Sequence, residues 1–121
     1  MQNRSTYLRK KEKIKAKIQK CYIKIMLEMR EKRISFKKIE EVSFEVFSKV
    51  VGDKKVPILT HSAVYRIMKV QREVMLDTFS ALVFSLIQCG INKKLIRQLV
   101  TLNKAYYGWD IIERKMGYKN A

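Results

Sequence analysis

Five lysines, Lys10, Lys13, Lys17, Lys20 and Lys24, recur at steps of three and four residues. On a helix that spacing lines them along one face. A lysine ammonium is a compact point charge suited to phosphate oxygens. The chemistry such a row offers is neutralisation of a polyanion rather than bond-making. Between Met1 and Leu27 the one acid is Glu12, whereas ordinary solvated helices interleave both signs for i,i+4 support. The row is therefore read as a face that meets a polyanion.

Residues able to do covalent or metal chemistry are few. His61 is the single histidine, so neither a multi-histidine metal site nor a Ser-His-Asp triad with a spare ligand can be assembled around it. Its position just before a helix suggests a capping or packing role. Glu73 and Asp77 stand one turn apart if one helix carries both, with Lys69 and Arg72 near enough to pair with them. Glu40, Glu41 and Glu45 fall in the first turns of a helix, where the backbone dipole favours acids. Cys21 and Cys89 form no CxxC pair and are expected as two free thiols. No GxxxxGK[ST], GxGxxG or GxSxG motif occurs, so nucleotide-dependent or hydrolase chemistry has no visible seat. The chain reads as a binder without metal, cofactor or small-molecule substrate, and not as an enzyme.

The elements that must position the lysine row can be read from periodicity. Residues 7–33 contain no Gly or Pro and predict one long helix. Ile14, Ile18, Cys21, Tyr22, Ile25 and Met29 form its apolar stripe, about 120° round the wheel from the lysines. That stripe is expected to pack on a neighbouring subunit or on the protein's own core. Ser35 caps a second helix reaching Val51, with Ile39, Val42, Val46 and Val50 on one side and Phe36 and Phe47 nearby. Gly52-Asp53 stops it, and a loop with Pro57 follows. A third helix is predicted from Thr60 or Ser62 to Gln88, ending on Cys89-Gly90. Its segment from Phe79 is apolar nearly all round, as in a helix at the centre of a bundle or dimer. Asn92 caps a fourth helix over about Lys93–Lys115, with Leu95, Leu99, Leu102, Tyr106 and Trp109 as its seam. The fold class is all-α: a basic helical arm over residues 1–38 and a helical bundle over 39–121.

Composition agrees with that division. The 121 residues carry a net charge of +16, with 4 Gly and 1 Pro, too few turn residues for an all-β sandwich. Residues 1–38 hold 14 Lys+Arg against 3 Glu, a net of +11, and the remainder holds a net of +5. The longest apolar stretch, Phe79 to Cys89, is about half the length of a membrane span. The basic N-terminus lacks an apolar core and cleavage site, and is Lys-rich rather than Arg- and Ser-rich, so neither a secretory nor a mitochondrial leader is expected.

In plan, and in the segment Gly90 to Trp109 with its Lys104-Ala105-Tyr106-Tyr107, the chain resembles the α-helical major coat proteins of archaeal rod-shaped and filamentous double-stranded DNA viruses. The resemblance implies paired subunits, identical or paralogous, whose basic N-terminal helices wrap the genome and hold it in A-form while the bundles tile the virion wall. A second resemblance is to the histone fold. Its short–long–short pattern would be met by Glu40–Val51, Ser62–Cys89 and Lys94–Tyr107, although INKKLIRQ after Gly90 stands where that family has Arg-Thr. Both imply packaging of duplex DNA, in a virion or a nucleoid. A third expectation, of another class, is a small helical interaction protein whose basic helix docks on an acidic partner.

The residues expected at DNA are Arg4, Arg9, Lys10, Lys11, Lys13, Lys17, Lys20, Lys24, Arg30, Lys32, Arg33, Lys37 and Lys38. Those expected in the core or between subunits are Ile14, Ile18, Tyr22, Ile25, Met29, Phe79, Phe84, Tyr106 and Trp109. The basic helix over residues 7–33 supplies only Tyr7 and Tyr22 as aromatics, so duplex DNA is preferred over single-stranded RNA, which is read on stacking platforms. About eight phosphates neutralised would give a log K against log salt slope near −7.

Overall fold

The computed structural model describes residues 4–51 and 59–109, the side chains of residues 4 and 46–51 excepted. Five helices follow one another in this part: α1 (Arg4–Glu31), α2 (Phe36–Val51), α3 (His61–Met68), α4 (Leu76–Gln88) and α5 (Lys93–Tyr107). Among the described residues there is no strand, and the all-α expectation holds. No described helix is long and apolar enough to cross a membrane. Pro57, Gly52-Asp53, the α2 side chains Val46, Phe47 and Val50, and the tail after Trp109 lie outside the described residues.

Packing follows the apolar stripes. α1 lies along α5, α2 packs on α4 and α3, and α4 touches α5. Ile18, Cys21, Tyr22, Ile25 and Met29 of α1 are buried in one core with Ile39, Val64, Ile67, Leu82, Leu86 and Leu99, and Ile14 is packed at its edge. The stripe of α1 thus meets the protein's own core, the second of the two alternatives above. From Ile14 onward α1 is a wall of the bundle as well as a carrier of charge.

Side-chain caps stand where the sequence placed them. Ser35 Oγ accepts from the Lys38 N–H at 3.0 Å and Thr60 Oγ1 from the Ala63 N–H at 3.1 Å. Asn92 Oδ1 accepts from the N–H groups of Lys94 and Leu95 at 2.8 and 3.3 Å. Each satisfies a backbone donor that the first helical turn leaves open. Gly90, at φ 77°, closes α4: its N–H bonds to Ile87 O and that of Ile91 to Leu86 O. This is the paired 6→1 and 5→2 closure in which glycine is usual.

The same closure occurs twice without glycine, and one instance overturns an expectation. Residues 60–88 are not a single helix. α3 stops at Met68, and Val70 takes φ 53° while its N–H bonds to Ile67 O and that of Gln71 to Arg66 O. A β-branched residue in the left-handed region is strained, and the gain that holds it there is tertiary. The connection sends Val74 into the core, where its N–H donates to the Tyr107 hydroxyl at 3.1 Å, and turns α4 onto α2 and α5. Two consequences follow. The histone pattern needs one continuous helix over residues 62–89, which this chain lacks. Glu73 and Asp77 also do not share a helix: Glu73 precedes α4, and Asp77 Oδ1 accepts from the Thr78 N–H at 2.8 Å in its first turn.

α5 is likewise shorter than its pattern suggested. Gly108 adopts φ 71° and ends the helix after Tyr107. Trp109 thereby folds back onto Phe79, with ring centroids 5.4 Å apart, and stacks on Tyr107 at 4.8 Å. A helix running unbroken to Lys115 would carry Trp109 along its own seam instead.

The surroundings of α4 narrow one expectation. Its segment from Phe79 is apolar nearly all round, as in a helix at the centre of a bundle or dimer, with Phe84 expected in the core or between subunits. Phe79, Ala81, Leu82, Ser85 and Leu86 are buried, but Phe84 is 55% exposed and Ile87 45%. Within this chain α4 covers one face only, because α2 and α5 reach it from the same side.

Candidate nucleic-acid interface

The lysine row is presented outward by the burial of the stripe beside it. With Ile18, Cys21, Tyr22, Ile25 and Met29 turned into the core, α1 cannot rotate without exposing five buried side chains. Lys10, Lys13, Lys17, Lys20 and Lys24 are all exposed. From Lys10 to Lys24 the row runs about 21 Å at 1.5 Å per residue. A duplex of that length presents about 12 phosphates. Arg9 is exposed one residue before the row begins, and Arg30, Arg33 and Lys38 are exposed beyond its far end.

Not every cation expected at DNA is equally available. Lys32 pairs with Glu28 at 2.8 Å and donates to Gly90 O at 2.6 Å, which pins the end of α1 to the α4–α5 turn. Glu28 also accepts from the Asn92 N–H at 3.0 Å. Lys37 pairs with Glu40 at 2.8 Å. The hydrogen bond from Lys37, then the His61 N–H, hold the Glu40 carboxyl down to about 2, and Lys37 itself is raised by the same bond. His61 has the structural role expected of it: its N–H donates to Glu40 Oε1 at 2.9 Å, and its Nδ1 lies 3.2 Å from that oxygen. Lys11 is half-buried with its ammonium 4.7 Å from the centre of the Tyr106 ring. Arg4 opens α1, and its side chain is outside the described residues. Lys32 and Lys37 stay exposed but are engaged in ion pairs, Lys11 lies against Tyr106, and the five-lysine row is exposed together with Arg9, Arg30, Arg33 and Lys38.

The Glu28–Lys32 and Lys37–Glu40 pairs stand at i,i+4 and i,i+3, but Lys24–Glu28 and Lys38–Glu41 have the same spacings in the sequence, so spacing alone does not single out the two lysines that pair. Lys15 was not among the expected contacts. It is half-buried at the mouth of a narrow cleft with Tyr22, Arg72, Asn103 and Tyr106. On the helix wheel it lies beyond the apolar stripe, about 180° from the lysine row, and that position is the signal that could have found it. Within the cleft the Tyr22 hydroxyl has no protein hydrogen-bond partner, and burial pushes its titration far above the ordinary tyrosine range.

The aromatic cluster anchors the bundle instead of forming an open platform. Trp109 is buried between Phe79 and Tyr107, Tyr106 meets Tyr107 edge-on at 4.9 Å, and the Tyr107 hydroxyl is occupied by Val74. Both cysteines are free thiols, pushed up by burial, and Cys21 Sγ contacts Leu95 O at 3.4 Å. Among the described residues no group of three or more His, Cys, Asp or Glu is placed to hold a metal ion. No protein-family model matches the chain, and neither the curated proteins nor the solved structures include a significant match to it.

Proposed function

We propose that this protein packages double-stranded DNA, gripping the backbone through α1 without reading sequence and assembling through its helical bundle. The observation that carries the reading is the five-lysine row, exposed along one face of a helix whose neighbouring apolar stripe is locked into the core. Lysine neutralises phosphate without the planar fork that reads guanine, so binding is tight, salt-sensitive and indifferent to base order. Duplex is preferred to single-stranded RNA because α1 exposes Tyr7 alone of its two aromatics, while Phe79, Tyr107 and Trp109 pack on one another within the bundle.

The particular form proposed is a coat protein of a filamentous or rod-shaped DNA virus, located in the virion and paired with itself or a paralogous subunit. A basic helix backed by a compact bundle suits subunits repeated along one duplex. Imaging purified protein with linear duplex DNA tests it. Regular filaments of constant diameter are expected. Short wraps or beads would favour a nucleoid protein instead. Unchanged naked DNA, with capture of one acidic protein partner, would replace packaging with the interaction-protein reading. Competition between duplex DNA and RNA at fixed salt should leave the protein on DNA.

A further inference from the structure

We propose that the outer face of α4 is a docking surface for a second copy of this chain. The inference extends the packaging reading by naming the subunit contact. Met75 is 74% exposed, Leu76 46%, Phe84 55% and Ile87 45%. With Ser80 they form one stripe, running about 16 Å from Leu76 to Ile87 at 1.5 Å per residue. Isolated exposed apolar residues need no explanation, but a contiguous row along one helix marks a contact surface.

Charge identifies the occupant. The other four described helices all carry Lys or Arg, whereas α4 carries neither, and its single charge is Asp77. Two chains of net charge +16 repel one another, and most faces would bring ammonium or guanidinium groups together. Across α4 two copies can meet with no cation from that helix in the contact. An anionic lipid surface or an acidic protein would be recognised by cations, which this face lacks and α1 supplies.

The stripe is also self-complementary. In an antiparallel pair with its two-fold axis between Ser80 and Phe84, the Phe84 ring of each copy rests over Ser80 of the other. The Ser80 hydroxyl already donates to Leu76 O at 2.8 Å, so the ring would cover a satisfied polar group. One helix face is smaller than the roughly 800 Å² per partner of a stable interface, so free association is weak. Chains held side by side on one duplex gain it through effective concentration.

Sedimentation of the full chain without DNA tests the contact separately from DNA binding. The mass should rise with concentration from the 14.4 kDa of one chain towards twice that value. The association constant should increase several-fold between roughly 50 and 500 mM salt as repulsion is screened, opposite in sign to DNA binding. F84K and I87K, both at exposed positions, should remain single chains with unchanged helical circular dichroism. On DNA they should bind without cooperativity. A single-chain mass under all conditions, association unaffected by both variants, or association weakened by salt would each overturn the proposal. Absence of DNA binding would leave these masses unaffected and sink only the packaging reading.

Discussion

Ile23 and Ile25 offer a controlled comparison on one helix. They are the same residue type two positions apart, yet Ile25 is 0% exposed in the core and Ile23 is 53% exposed. Replacing Ile25 with Ala removes three buried carbons, worth about 2.4 kcal/mol at about 0.8 each. The cavity left among packed neighbours raises this to about 3–4 kcal/mol. The better helix propensity of Ala returns about 0.4, leaving a net loss of about 3 kcal/mol. At about 4 °C per kcal/mol for a chain of this size, the midpoint should fall by roughly 12 °C. Ile23→Ala, sharing the propensity gain but little of the burial, should stay within about 0.5 kcal/mol of the parent. Thermal and urea unfolding followed by circular dichroism read both. If the two variants shift alike, α1 is not docked along the core, and the argument that burial orients the lysine row collapses.

Three further outcomes follow from particular contacts. Because Glu40 is held down to about 2 from an ordinary 4.5, the stability it contributes is present above pH 4.5 and lost as pH falls towards 2; Glu40→Gln should flatten that part of the acid-unfolding profile. Tyr107→Phe removes the acceptor for the part-buried Val74 N–H and should cost about 1–2 kcal/mol in urea unfolding, with the largest gain in amide exchange at the α3–α4 connection. F84K should abolish salt-strengthened self-association while leaving the unfolding midpoint within about 0.5 kcal/mol of the parent, since the ring is exposed.

Most of this fold could be read from local chemistry. The long α1, its two stripes and the caps Ser35, Thr60 and Asn92 each depend on residues within a turn or two of one another, where spacing and side-chain hydrogen bonding decide the outcome. The break at Val70 could not be read that way. It carries neither Gly nor Pro, and its left-handed backbone is held by the burial of Val74 and by a hydroxyl 33 residues further on. Likewise the period of α4 says that it is apolar all round but not which sides the neighbouring helices reach. Periodicity therefore leaves Phe84 between core and subunit contact, and its exposure takes it out of the core of this chain. At the interface, the row itself was legible. The pairing of Lys32 and Lys37 was not legible from spacing, which Lys24 and Lys38 share; the contacts of Lys32 with Gly90 and of Glu40 with His61 that accompany it are distant in sequence.

The central claim is that the exposed row on α1 carries the grip on duplex DNA. The salt dependence of binding, compared between the parent and a variant with Lys10, Lys13, Lys17, Lys20 and Lys24 all replaced by Gln, tests it most directly. The parent should show a log K against log salt slope near −7, and the variant a slope shallower by about 4.5, one counterion release being lost with each lysine. The variant should keep its helical signal and unfolding midpoint. An unchanged slope in a folded variant, or loss of binding only through loss of the fold, would contradict the account.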